Sequence, residues 1–198
     1  MEGLPEDGIL DFAKLGLPAV SMRVRTGRNL NKYPLPGAMT LEDRQNMELD
    51  MGAVFRQLIE DPNYGGRYVS ITPGHPNFIS QKEYEQLVDD HIMFKDMSAD
   101  SYLVTAGIAA DWPNGRGCYV SADKEFIIWV GEEDHLRIMC MKKGTILNEV
   151  FDRLKKAVDV VESKIEGGCA ISPDFGVVTS CPTKIGTGMR ASLHLALP

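Results

Sequence analysis

The sequence predicts an α+β domain, an antiparallel β-sheet flanked by helices, and two observations predict it. Segments of strand-like composition and segments of helical periodicity are interspersed along the 198 residues. Several strand candidates also stand in pairs joined by a short polar turn, the pattern of antiparallel hairpins. No internal repeat or low-complexity tract interrupts this order. Residues 1–18 are set apart as an arm or linker, and residues 19–198 read as one domain with no internal boundary.

Each element rests on a local signal. Residues 1–18 carry Gly, Pro and acidic residues with little periodicity. AVSMRVR at 19–25 alternates weakly and suits a short strand ending at Thr26-Gly27. NKYPLPGAMT holds two prolines and a glycine and is a loop. Thr40 followed by Asp43 reads as an N-cap with an acid in the first turn, and Met47, Met51, Val54, Phe55 and Leu58 recur at helical spacing to about Glu60. DPNYGG stops that helix, and RYVSITP at 67–73 is a strand candidate. Ser80 and Glu83 form a capping-box pair that opens a second helix through about Asp90. Residues 102–109 fit neither period, and DWPNGRG is rich in turn formers. CYVSADKEFIIWVG reads as two strands around Asp123-Lys124, and HLRIMCM at 135–141 as another. Ile146, Val150, Leu154, Val158, Val161 and Ile165 lie on one face of a helix over 145–165. FGVVTSC and ASLHLALP read as two closing strands around the loop PTKIGTG.

Composition bounds the function. With 21 Lys and Arg against 28 Asp and Glu, the formal charge is −7, which disfavours nonspecific nucleic-acid binding. No run approaches the roughly 20 apolar residues of a membrane span, and the acidic N-terminus has no basic and apolar signal pattern. The expectation is a cytoplasmic protein without a membrane partner. Cys118, Cys140, Cys169 and Cys181 form no CxxC pair, so they read as free thiols in a reducing compartment rather than a zinc cluster.

Four segments carry chemistry. On a strand, Arg23 and Arg25 project from one face, where they suit an anion such as phosphate; alone, they fit a solvated edge strand as well. Glu132, Glu133 and Asp134 follow an apolar strand and precede His135 and Arg137. A carboxylate there suits a base or an orienting anion, and the segment equally fits a charged turn. Cys181 stands near glycines and the cations Lys184 and Arg190, a setting that favours thiolate; it also fits a small buried hydrophobe. His91, His135 and His194 share no metal-ligand spacing, and either His91 or His194 suits stacking on a purine.

Taken in order, S-x-R-V-R-T-G-R, DDHxxF, DWPNGRG, EEDHLRI and CPTxxGTGxRAS resemble the phosphagen (ATP:guanidino) kinases, the family of arginine, creatine and taurocyamine kinases. The resemblance runs from about residue 10 to the end. It implies a phosphagen kinase or glutamine synthetase-like catalytic sheet and reversible transfer of the ATP γ-phosphoryl group to a guanidino substrate, arginine first and taurocyamine next. It also implies that the segments Ser21, Met22, Arg23, Val24, Arg25 and Arg190, Ala191, Ser192, Leu193, His194, together with His91 and Arg137, hold ATP. The four arginines would clamp the phosphates, with His91 and His194 by the adenosine. Glu133 matches the guanidinium-binding carboxylate and Cys181 the reactive cysteine beside it, here with an electrostatic role. Mg²⁺ would be held by the nucleotide and water, with no protein metal site, and the protein would be a monomer or homodimer.

Set beside that family, the chain lacks the small N-terminal domain and the last catalytic segment. It is expected to be a partial catalytic domain, incomplete at the C-terminus, with an exposed sheet edge, weak ATP binding and poor turnover. A kinase of protein arginine and a non-catalytic nucleotide-binding module are the alternatives.

Overall fold

The computed structural model describes residues 5–195. Six strands form one sheet in the order β2-β3-β4-β5-β1-β8, every neighbouring pair antiparallel. They are β1 (Val20–Arg28), β2 (Arg67–Ser70), β3 (Gly117–Val120), β4 (Phe126–Val130), β5 (Leu136–Gly144) and β8 (Met189–His194). The helices are α1 (Leu41–Glu60), α2 (Gln81–Asp89), α3 (Ser101–Thr105) and α4 (Leu147–Lys164). A separate two-residue hairpin pairs β6 (Ile171–Ser172) with β7 (Gly176–Val177).

The two long helices form where periodicity predicts them, because their apolar stripes cover one face of the sheet. Met47, Met51, Val54, Phe55 and Leu58 of α1 and Val150, Leu154, Ala157, Val158 and Val161 of α4 pack on Met22, Val24, Phe126, Ile128, Ile138 and Cys140. Full burial of such side chains contributes about 1.5–3 kcal/mol each. The α1 start is fixed by a complete capping box: Thr40 Oγ1 accepts from Asp43 N–H, and the Asp43 carboxylate accepts from Thr40 N–H. At α2 only the Ser80 half exists, since Glu83 pairs with Arg67.

The opposite face is covered only in part. Tyr84 and Leu87 of α2, with Ile92, Met93, Phe94, Met97 and Ala109, pack on Val69, Cys118, Val120, Ile127, Trp129 and Met139. Among the described residues, none of β1 or β8 belongs to this second cluster, which leaves that end of the face without apolar cover. The alternation of β1 places core side chains on the helix side and polar ones here.

Several boundaries differ from the sequence expectation. β1 continues through Gly27 to Arg28 because its ladder with β5 continues, Gly27 opposite Arg137 and Arg28 opposite Leu136. Gly27 is needed at that point: a Cβ there would lie 2.5 Å from Asp134 Oδ2. β2 stops at Ser70, and α3 forms behind its N-cap Asp100 in the segment that fits neither period. The expected strand over 175–181 shrinks to Gly176–Val177, whose partner is the short β6. The last strand starts earlier, at Met189, and residues 196–198 of the expected strand lie outside the described residues. Residues before β1 dock on the start of α4: Phe12 N–H donates to Thr145 O at 2.8 Å and Leu147 N–H to Leu10 O at 3.0 Å.

Candidate active site

The uncovered face is an arginine face. Ser21, Arg23 and Arg25 alternate outward along β1, opposite His194, Ser192 and Arg190 of β8. Arg25 and Arg190 are direct cross-strand partners, an arrangement that like charges oppose. Arg137 joins them from β5, on the other side of β1. Burial, then the charges of Arg137, Arg23 and Arg190, lower the Arg25 pKa to about 10. Arg23 is lowered by burial and by Arg137 and Arg190, and its Nε is buried without a partner. Cations this crowded, with donors unspent, are arranged for an anion with several oxygens.

The same alternation divides the two expected segments between the faces of the sheet. Met22 and Val24 are 0% and 1% exposed, with side chains in the helix-side core, and Leu193 packs against that core. Ala191, opposite Val24, shares their side of the sheet. These four residues hold the segments in the sheet, and their side chains point away from the arginines.

His91 reaches the site by a special backbone. Past the end of α2 it adopts φ 59, and its N–H donates to Val88 O at 3.0 Å, in the left-handed turn that ends many helices. A cleft of about 510 Å³ opens there, lined by Ser21, Arg23, Asp90, His91, Lys124, Glu125, Met141, Lys142, Lys143 and His194. Its volume lies in the range of small-ligand sites. The two histidines expected beside a purine thus share one cleft with Ser21 and Arg23.

The acidic turn between β4 and β5 is divided by role. Asp134 and His135 face inward and act as anchors. Asp134 Oδ1 accepts from Asn29 Nδ2 at 2.9 Å and from Ser180 N–H at 2.7 Å, joining the turn to the loop that carries Cys181. His135 Nδ1 accepts from Leu30 N–H at 2.9 Å, so Nε2 carries the proton and donates to Pro34 O at 2.9 Å. Burial lowers the His135 pKa to about 4, against the opposing pull of the Pro34 carbonyl and Asp134. The fully buried Arg116, from DWPNGRG, donates to Gly131 O at 3.1 Å and steadies the turn from the other side.

Glu132 and Glu133 face the arginines. Arg137 Nη2 donates to Glu132 Oε2 at 2.8 Å and to Glu133 Oε2 at 2.9 Å, and its guanidinium lies 5.6 Å from the centre of the Trp129 ring. Burial raises the Glu132 pKa, opposed by Arg137. Lys184 Nζ contacts Glu133 Oε2 as well. Cys181 precedes a single 3-10 turn, Pro182–Lys184, and its Sγ lies 3.0 Å from Thr183 Oγ1. Sequence reasoning noted Lys184 only as a cation near Cys181 and missed its contact with Glu133. It left Asn29 and Arg116 without a role. Buried polar anchors of this kind have no periodic signature, since their partners come from distant elements.

The family described as ATP:guanido phosphotransferase, C-terminal catalytic domain, matches residues 46–198. The arginine kinase of Limulus polyphemus is 40% identical over 192 residues, which are 96% of this chain and 50% of that protein. The arginine kinase of Anthopleura japonica is 40% identical over 178 residues, 90% of this chain and 23% of that one. Among solved structures, the substrate-free duplicated taurocyamine kinase from Schistosoma mansoni superposes with a TM-score of 0.82 at 33% identity, covering 93% of this chain and 24% of that one. A lombricine kinase gives 0.77 at 25% identity, covering 98% and 50%. The chain spans half or less of the length of these relatives.

Proposed function

The chain belongs to the ATP:guanidino phosphotransferase family, within its C-terminal catalytic domain, and from that membership we propose that it serves reversible transfer of the ATP γ-phosphoryl group to a guanidino substrate, arginine first, forming a phosphagen that buffers energy. The carrying observation is the face of Arg23, Arg25 and Arg190, none of whose side chains has an ion-pair or hydrogen-bond partner among the described residues, beside a paired-carboxylate turn. The reading includes a cytoplasmic protein, acting as a monomer or homodimer. Among the described residues no helix is long and apolar enough to cross a membrane.

In this reading the nucleotide lies along the cleft from His91 and His194 toward the arginines. Phosphoryl transfer passes through a loose transition state whose charge rests on peripheral oxygens, so catalysis is chiefly alignment and electrostatic stabilisation. Fixed guanidiniums on adjacent strands supply both. Arg25 and Arg190, opposite one another, suit two oxygens of one phosphate chain, and Arg23 and Arg137 flank them. Magnesium would arrive on the nucleotide and would neutralise part of the phosphate charge. Glu132 and Glu133, the carboxylates facing the arginines, are already in contact with Arg137, so they fit a metal held by phosphates and water rather than by a protein cage.

Glu133 takes the guanidinium. A carboxylate that accepts N–H bonds from a guanidinium orients the attacking nitrogen toward phosphorus and is positioned to accept the proton released as the N–P bond forms. Cys181, in the loop joined to this turn through Ser180, takes an electrostatic role, with no covalent intermediate. The test is Glu133→Gln in the protein that carries this chain. Transfer to arginine and to other guanidino compounds should be abolished while ATP affinity, read by titration, stays within about twofold, because the loss falls on alignment in the transition state. Full transfer activity in that variant overturns the assignment.

A further inference from the structure

Glu133 is held by the chain's own cations. Its Oε2 accepts from Arg137 at 2.9 Å and also from Lys184, in close contact, and the Lys184 and Glu133 side chains are only about one-fifth exposed, at 22% and 21%. The backbone that aims Lys184 is fixed at both ends: Lys184 N–H donates to Cys181 O at 3.0 Å, and Lys184 O accepts from Gly188 N–H at 2.9 Å. Arg137 has a second acceptor in Glu132. The Lys184 ammonium has Glu133 as its one acceptor among the described residues. The oxygen assigned above to a guanidinium thus already carries an ammonium.

We propose that Lys184 is a specificity-determining residue. In the free chain it occupies the cation position of Glu133; a guanidino substrate displaces it, and the released ammonium then pairs with an anionic group on that substrate. The site would therefore select guanidino acids, compounds with a carboxylate or sulfonate a short chain away from the guanidinium, over simple alkylguanidines. This rests on the reading of Glu133 as the guanidinium carboxylate.

Charge balance carries the selectivity. The two carboxyl groups of Glu132 and Glu133 stand against the two cations Arg137 and Lys184. An alkylguanidinium adds one uncompensated cation to a pocket that borders the arginine face, whereas a zwitterionic guanidino acid adds none. Within the turn, Arg137 engages Glu132 Oε2, and Asn29 and Ser180 engage Asp134 Oδ1, so Glu133 is the carboxylate that Lys184 contacts.

The test is calorimetric or NMR titration of the nucleotide-free chain with methylguanidine and with guanidinoacetate, in the parent and in Lys184→Met, Lys184→Gln and Glu133→Gln, each checked for an unchanged melting temperature. The parent should prefer guanidinoacetate. Both Lys184 variants should bind methylguanidine about tenfold more tightly, if the lysine leaves Glu133 about one-tenth of the time, and should lose the preference for guanidinoacetate. Unchanged affinities in both variants, or a preference that survives them, overturn the proposal while leaving the role of Glu133 intact. No binding of either compound to the parent, or no loss in Glu133→Gln, overturns the reading of Glu133 and this proposal with it.

Discussion

Arg25 faces Arg190 across one strand pair and shares its surroundings with Arg23 and Arg137; burial first, and then these charges, lower its pKa to about 10. Such a residue is costly to the ligand-free fold and useful to the bound one. Arg25→Ala should therefore weaken ADP binding by about 10- to 100-fold, the worth of one or two hydrogen bonds to a charged group. It should also raise the melting temperature without nucleotide, by removing a repelling charge. Titration and thermal unfolding of the same preparation check both halves, and a variant that loses stability without ligand contradicts the account. At this scale the sequence was informative about the arginines, because side-chain alternation follows from strand geometry alone. Its lysine was another matter: Lys184 meets Glu133 only because Asp134 ties two loops 46 residues apart in sequence, Ser180 to the acidic turn.

The acidic turn shows how an element is built from residues whose roles differ by position. Asp134 and His135 face inward and bind the chain together, which leaves Glu132, Glu133 and Arg137 to face the site. The buried His135, 1% exposed, is neutral in the fold. Its folded pKa of about 4 lies below the ordinary histidine value near 6.5, so the unfolded chain takes up the proton first as pH falls. Stability from this group is complete above pH about 6.5 and lost between about 6.5 and 4, by on the order of 3 kcal/mol. Urea unfolding at pH 7.5 and pH 5 should show about 2 kcal/mol of that loss, and His135→Gln should lack this part of the pH dependence whatever its absolute stability. An unchanged pH slope in His135→Gln refutes the assignment. Among the elements, α1 and α4 were legible because their stripes at 47–58 and 146–165 match what the sheet needs covered. The segment over 175–181 was misread because Val177 and Val178 resemble a strand, while its neighbours offer only the two residues of β6 as a ladder. Gly27 looked like a terminator and instead leaves room for Asp134 inside a strand.

For the molecule as a whole, the two faces of one sheet are put to different uses. The helix side is closed by α1 and α4, and the other side is closed only over β2, β3, β4 and part of β5. The charge gathered at the open end makes the fold sensitive to polyanions. Pyrophosphate at a hundred times its Kd should stabilise the chain by about 2.7 kcal/mol, or roughly 5–10 °C in melting temperature. Sodium chloride at matched ionic strength should act only by screening and give a smaller shift. Equal shifts would mean that no specific anion site exists. The fold class and the helix positions followed from periodicity, but which end of the sheet stays open depends on where residues 84–109 pack, a long-range matter that no local pattern in the chain encodes.

The strict alternation of β1 carries a last consequence. Met22 and Val24 are sealed under the helices while Arg23 and Arg25 stand on the far side, with one residue between each pair. A substitution here changes one side chain on one face, but a codon gained or lost within this strand would exchange the two sets, driving guanidiniums into the hydrocarbon layer and methionine and valine into the anion cleft. β1 should therefore tolerate drift in side-chain identity far better than any change in length.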